Sequence, residues 1–270
     1  MAQSDRAFGG SIPQFYDHFL GPLFFLPYAK EIAARVAALK PKRVLETACG
    51  TGFVTRAMVA RLPPETEIVA TDLNQPMLDF AARQEDTRGV VWRQADAQHL
   101  PFDDALFDVV VCQFGVMFFP DRVAGYREAR RVLRPGGNFV FSVWDRLEDN
   151  EFSLLIHHAV AALFPDDPPS FIVRTPFGYH DISAIEGDLQ RAGLKLAKAE
   201  TVTLRSRAAS ARDPAMGLCE GSPLRNEIEA RDPSRLSEAV DSATRAIAER
   251  FGTGAVDGKT QAHILTASPV

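Results

Sequence analysis

Five apolar, β-branched runs recur along the first half of the chain, each bounded by turn residues: Arg43 to Ala48, Glu67 to Asp72, Val90 to Ala95, Phe107 to Gln113 and Asn138 to Trp144. Their hydrophobicity is nearly continuous and not alternating, which is the pattern of strands buried on both faces, and it predicts a parallel sheet. Between the runs, apolar residues return at helical spacing, first Val54, Ala57, Met58 and Leu62, then Met77, Phe80 and Ala81. Strand alternating with helix implies right-handed crossovers and a doubly wound α/β structure that takes its ligand at the carboxyl ends of the strands. The "RPGG" at Arg134 to Gly137 is expected to end a helix and turn the chain into the fifth strand.

After Trp144 the rhythm changes. Phe152, Leu155, Ile156, Ala159, Val160 and Leu163 form one helical stripe, followed by the proline-rich "LFPDDPPSFIVRTPFGYHD". Ala197 to Arg207 reads as a sixth strand and Gln261 to Ala267 as a seventh, with a helix through Leu236, Ala239, Val240, Ala243 and Ile247 between them. The organisation expected is an aromatic N-terminal helical cover (1–42), an α/β core (43–145), a lid excursion (146–182), and the remainder of the core (183–270) with a helical insert at about 206–259. Phe15 to Tyr28, Glu151 to Asp181 and Ser206 to Lys259 interrupt the regular order and are expected to roof an acceptor site, because long departures from regular structure tend to be functional.

Bulk composition narrows the function. The 270 residues carry 30 Lys plus Arg against 35 Asp plus Glu, a formal charge of -5, with no basic block that would mark a nucleic-acid surface. Cys49, Cys112 and Cys219 lie far apart, so neither a zinc site nor a disulfide framework follows, and a reducing cytoplasm is the expected compartment. The longest apolar patch, around "FLGPLFFLPYA", is broken by prolines and too short to span a bilayer. A small-molecule partner is expected, with no nucleic acid and no stable membrane insertion, and the pattern leaves the oligomeric state open, a homodimer included.

The chemistry concentrates in "VLETACGTGFVTRAM", Val44 to Met58, a glycine-bearing turn between a strand and a helix. At Gly50 and Gly52 no Cβ intervenes, so backbone can approach a ligand closely. A P-loop requires GxxxxGK[ST] and its lysine is missing; the dinucleotide fingerprint GxGxxG needs a small third residue where Thr55 stands. Asp72 ends the second strand twenty residues after Gly52, where a carboxylate can accept from both hydroxyls of a ribose.

Glu46, the two glycines, Asp72, the "ADA" at Ala95 to Ala97 and the "RPGG" together resemble the class I S-adenosylmethionine-dependent methyltransferases, in the branch that acts on small molecules (methyltransferase type 11). The resemblance covers Arg43 to Trp144 strongly and the remainder more weakly. It implies a seven-stranded, mostly parallel, Rossmann-like sheet with helices on both faces and a helical lid. It also implies methyl transfer from S-adenosylmethionine to a small apolar or aromatic acceptor. Glu46, Gly50 and Gly52 would surround the methionine part of the cofactor and Asp72 would bind the ribose. Leu73 and Met77 would pack beside the adenine, Asp96 would accept from its amino group, and the Ala97 backbone would read the ring edge. Gln113 and Phe114 would face the sulfonium, and Tyr16, in the segment before the first strand, would shield it from water.

Two other readings share parts of this pattern. An NAD-dependent oxidoreductase would keep the sheet and Asp72 but needs a small residue at position 55 and a catalytic Tyr or Lys pair. A non-catalytic S-adenosylmethionine-binding protein would keep the loop and lack an acceptor pocket. In-line methyl transfer mainly demands alignment, and a general base helps only some acceptors. His180 and His157, in the expected roof, are the candidates for that base, with His18 a weaker one.

Overall fold

The computed structural model describes residue 8, residues 10–87 and residues 89–270; residues 1–7 and 9, the start of the expected N-terminal cover, lie outside the described residues. Seven strands, β1 (Arg43–Glu46), β2 (Glu67–Asp72), β3 (Val91–Gln94), β4 (Phe107–Gln113), β5 (Leu133–Trp144), β6 (Leu194–Ala208) and β7 (Val256–Pro269), form one sheet in the order β3-β2-β1-β4-β5-β7-β6. The pairings β1–β2, β1–β4, β2–β3 and β4–β5 are parallel, and β7 runs antiparallel to both β5 and β6. The expected seven-stranded, mostly parallel doubly wound sheet is therefore present, with a single reversed strand. Chain order changes direction at β1 and β4, which opens a crevice at their carboxyl ends.

Eleven α-helical segments surround the sheet among the described residues. These are α1 (Ile12–Phe15), α2 (Leu26–Ala38), α3 (Phe53–Val59), α4 (Gln75–Ala81), α5 (Arg122–Val132), α6 (Glu151–Leu163), α7 (Phe171–Arg174), α8 (Ile182–Arg191), α9 (Arg212–Glu220), α10 (Leu224–Arg231) and α11 (Leu236–Phe251). Between α1 and α2 the chain stays helical but widens to π winding over Tyr16–Phe25, a stretch that contains Pro22. A ring without an N–H and in collision with the preceding turn is better accommodated by a wider coil. α2 packs on α3 and against β4 and β5, and α5 packs on α8 and against β5 and β6. α6, α7, α9, α10 and α11 pack on one another, so two segments far apart in sequence make one helical cap.

Three expectations need correction. The third apolar run is not buried on both faces: β3 is a sheet edge, and Val91 is 57% exposed. The "RPGG" is not a turn ahead of the fifth strand but lies within the extended run of β5. That run begins where Leu133 pairs with Phe107, and its register shifts before Val109 pairs with Asn138; Gly136, at φ +78, lies in that interval. Finally, β6 and β7 pair along their whole length, from Leu194–Pro269 to Ala208–Val256, so that β7 runs well beyond the expected Gln261 to Ala267 and β6 a few residues beyond the expected Ala197 to Arg207. The ends of β6 alternate charged and apolar residues because one of its faces is open to solvent, so continuous hydrophobicity could not mark them.

Candidate active site

Parallel register brings a set of polar residues to one edge of the sheet. Glu46 stands beside Ala70 and Val111, Asp72 beside Gln94, and Gln113 beside Ser142. The loop after β1 then folds over that edge. Ala48, Gly50 and Gly52 all have positive φ, at +52, +56 and +85. The Cys49 N–H donates to the Thr71 carbonyl, and the Gly50 N–H donates to Asp72 Oδ2 at 2.9 Å. The other oxygen of Asp72 accepts from the Asn74 N–H at 2.8 Å, so this carboxylate ties the β1 loop to the β2 loop. Burial pushes its pKa up against those backbone hydrogen bonds, which favour the charged form.

Glu46 and Gly52 have a different setting. Glu46 is buried beneath the loop and accepts from Thr55 Oγ1 at 2.6 Å. Burial, with the field of Asp72 added, pushes its carboxyl up to about 8 against the Thr55 hydrogen bond and Arg56. Thr55 is the residue that spoils the dinucleotide fingerprint, and its hydroxyl is what satisfies this buried acid. A Cβ at Gly52 would lie 3.2 Å from the Trp92 ring and 3.3 Å from the Ala81 Cβ, so that glycine serves the packing of the loop against β3 and α4. Neither Glu46 nor Gly52 is on the wall of the cavity described next.

A cavity of about 1230 Å³, counting its mouth, opens above the carboxyl ends of the strands. Tyr16, Gly50, Asp72, Leu73, Met77, Asp96, Ala97, Gln113 and Phe114 all line it, so nine of the residues singled out in the sequence share one wall. Tyr16 stacks on Phe25 at 4.6 Å, and its hydroxyl would lie 3.5 Å from a Cβ placed on Gly50, which puts the ring directly over the glycine loop. Asp96 accepts from the Gln98 backbone N–H at 2.9 Å. Gln113 donates from Nε2 to the Phe25 carbonyl at 3.2 Å, while its buried Oε1 has no protein partner among the described residues. Phe114, at φ +52, stacks on Trp144 at 3.7 Å.

The far end of the cavity is apolar. Leu20 and Phe24 come from the N-terminal helical segment, Phe171, Ile172 and Phe177 from the excursion after β5, and Leu218 and Pro223 from the insert between β6 and β7. All three expected roof segments thus contribute wall residues. These side chains were not individually legible, because an apolar residue on a cap helix has the same sequence signal whether it faces core or cavity. Trp144, at the end of the fifth apolar run, and Ala48, in the glycine loop, are the two that position could have picked out.

The histidines do not join this site. Half-buried His180 has its Nδ1 3.0 Å from the Phe177 carbonyl, and His157 lies beside His158 on α6, its pKa lowered by burial; neither lines the cavity. His18 lies on a separate groove beside Phe19 and Pro22. Position along α6 carries the reason for the miss: the cavity meets the helix at Ser153 in its first turn, and His157, one turn further along nearly the same face, does not reach it. The charged side chains on the described cavity wall are Asp72 and Asp96, with no Lys, Arg or His among them. Such a wall suits a ligand that is cationic and offers no counter-charge to a pyrophosphate. Together with the unpartnered Gln113 Oε1 and the absence of a Cβ at Gly50, it fits an adenosyl amino acid bearing a sulfonium.

A methyltransferase domain model matches residues 45–141. The chain is 38% identical over 115 residues to the demethylmenaquinone methyltransferase of Deinococcus radiodurans, covering 42% of this chain and 47% of that one. It is 31% identical over 169 residues to the ubiquinone/menaquinone biosynthesis C-methyltransferase UbiE of Ralstonia pickettii, covering 58% of this chain and 70% of the relative. Among solved structures, the YcgJ protein of Bacillus subtilis shares the fold with a TM-score of 0.56 at 18% identity, over 89% of this chain and 97% of that one. The chain spans about half the length of the first curated relatives it matches. Among the described residues, no helix is long and apolar enough to cross a membrane.

Proposed function

We infer the reaction from one premise: the chain belongs to the class I S-adenosylmethionine-dependent methyltransferases. The function proposed is methyl transfer from S-adenosylmethionine to a small, largely apolar or aromatic acceptor. One observation carries it: a single cavity has two carboxylates, Asp72 and Asp96, at its sheet end and an aromatic and aliphatic wall at its capped end. Bound S-adenosylmethionine supplies an electrophilic methyl. The acceptor's lone pair forms the new bond to that carbon as the carbon–sulfur bond breaks, and the pair remains on sulfur as a neutral thioether.

The protein's part is binding, alignment and exclusion of water. In this reading Asp72 accepts from the ribose hydroxyls with the lone pairs left by Gly50 and Asn74. Asp96 and the Ala97 backbone hold the adenine edge, Leu73 and Met77 flank its faces, and Gln113 Oε1 accepts from the amino group of the methionine part. Tyr16, Phe25 and the Phe114–Trp144 pair surround the methyl-bearing sulfur with ring faces, which attract a cation and keep water away. An NAD-dependent oxidoreductase is disfavoured by Thr55, which stands where the dinucleotide fingerprint needs a small residue and is tied instead to Glu46. Calorimetry with S-adenosylhomocysteine, followed by incubation of the protein with methyl-deuterated S-adenosylmethionine and a panel of phenols, quinols and amines, tests the proposal. The expected result is binding and one labelled methyl on an acceptor. No binding of S-adenosylhomocysteine would overturn the family chemistry, and binding without any labelled product would favour the non-catalytic reading.

A further inference from the structure

The capped end of the cavity carries polar side chains that the scheme above leaves unused, Asn150, Ser153 and Ser222, and the Ser222 hydroxyl is engaged with the Leu218 carbonyl and the Leu224 N–H. Ser153, in the first turn of α6, is 3% exposed and lines the cavity, yet its hydroxyl makes no hydrogen bond among the described residues. The preceding Asn150, also on the wall, occupies the N-cap position of α6 without capping it. Its side chain is fully engaged elsewhere: Oδ1 accepts from Thr260 Oγ1 at 2.8 Å and the Gln261 N–H at 3.0 Å, and Nδ2 donates to the Arg146 and Gln261 carbonyls. The backbone N–H groups of Glu151, Phe152 and Ser153 are left without acceptors among the described residues. Glu151 does not fill the gap, because its carboxylate accepts from the Lys259 N–H at 2.6 Å and from Arg250 at 2.5 Å. The first turn of α6 thus brings a buried, unpartnered hydroxyl to a cavity whose wall has no cation, with the unpaired N–H groups of a helix N-terminus beside it.

We propose that the first turn of α6, through Ser153 Oγ and the free N–H groups beside it, is an oxyanion subsite for the methyl acceptor. The acceptor is then an apolar ring carrying an acidic hydroxyl, a phenol, hydroquinone or enol, bound as its oxyanion. An amine is selected against, since its ammonium form would face the positive end of the helix. The inference rests on the methyltransferase reading for the identity of the second ligand. It also accounts for a wall without a histidine or lysine: stabilising the oxyanion raises the fraction of acceptor already deprotonated, so no side chain need remove the proton during transfer.

The probe for this subsite is 4-nitrophenol, with 4-nitrotoluene as the same shape lacking the hydroxyl, each bound to the protein saturated with S-adenosylhomocysteine. The wild type is expected to bind the phenol more tightly than the toluene and to raise the yellow phenolate band at a fixed pH near the phenol's own pKa. Ser153→Ala should weaken phenol binding about ten- to a hundred-fold, the worth of one hydrogen bond to a charged oxygen, and leave 4-nitrotoluene unchanged. Ser153→Thr, which keeps the hydroxyl, should restore most of the band. Ser153→Asp places a carboxylate at a position where it favours the helix, so melting should hold while phenolate binding is abolished. Unchanged phenol binding and phenolate fraction in both Ser153→Ala and Ser153→Asp would overturn the subsite, as would an equal loss for phenol and toluene. S-adenosylhomocysteine affinity, measured in every variant, reports separately on the methyltransferase reading: its absence from the wild type would sink that reading and leave the phenolate result to stand or fall alone.

Discussion

Glu46→Gln tests how the buried acid beneath the glycine loop shapes stability. In the fold this carboxyl is 1% exposed, satisfied by the Thr55 hydroxyl, and raised from 4.5 to about 8 with burial the largest cause. The folded protein therefore keeps a proton that the unfolded chain releases, and stability must fall as pH rises through the interval from about 4.5 to about 8. Each unit of that interval removes up to ~1.4 kcal/mol, so about 3–5 kcal/mol separates its two ends. Glutamine is neutral throughout and still offers Thr55 an acceptor, so this component of the slope should vanish. Against a domain stability of roughly 5–15 kcal/mol the effect is large.

The assay is a set of thermal melts of both proteins at half-unit steps from pH 5 to 9. At the acid end the two should agree closely. At the alkaline end the variant should melt higher by about 6–20 °C, at about 2–4 °C per kcal/mol for a chain of this size. Asp72, also raised by burial, contributes a slope of the same sign, and His157, lowered by burial, one of opposite sign at lower pH. His157 is present in each protein and cancels in the difference, whereas Asp72 is coupled to Glu46, and losing that neighbouring charge adds to the variant's gain. Parallel curves, or a variant that melts lower than the wild type at pH 9, would refute the reasoning.

Asp72→Ala removes the acceptor of the Gly50 and Asn74 N–H groups as well as the proposed ribose contacts. Calorimetry should show S-adenosylhomocysteine affinity reduced by about 2–4 kcal/mol, and a melt should show a stability loss of about 1–3 kcal/mol from two stranded donors. Wild-type values in both would remove the residue from the site and from the loop. His157→Ala and His180→Ala, whose side chains lie off the cavity wall, should leave turnover within about twofold at every pH; a ten-fold loss confined to one limb of the profile would restore a histidine to the mechanism.

The sequence by itself determined what depends on local pattern. Near-continuous apolar runs separated by helical spacing specify a doubly wound sheet, since both faces of each central strand must be buried. The glycine at position 50, in the turn after the first strand, specifies close ligand approach, because it has no Cβ. Asp72 and Gln113 end strands and Asp96 follows one, and parallel strands bring these ends to one edge, which is why positions carried over from the resemblance met there. Burial was misjudged at β3, where a sheet edge removes the need for hydrophobicity, and strand ends were missed in β7 and at the start of β6.

Only the tertiary structure decided which part of a cap helix meets the cavity. Ser153 and His157 lie one helical turn apart on the same amphipathic segment, and sequence offered the histidine as the chemical candidate. Packing of α6 against α7, α9 and α11 brings its first turn to the cavity, so the serine lines the wall while the histidine, further along nearly the same face, does not. Likewise Glu46 and Gly52 belong to the loop motif by position but to its foundations by contact, with Thr55, Trp92 and Ala81 as their partners. Residue type and spacing are properties of a chain, whereas facing a cavity is a relation between elements far apart in it, and no local period encodes that relation.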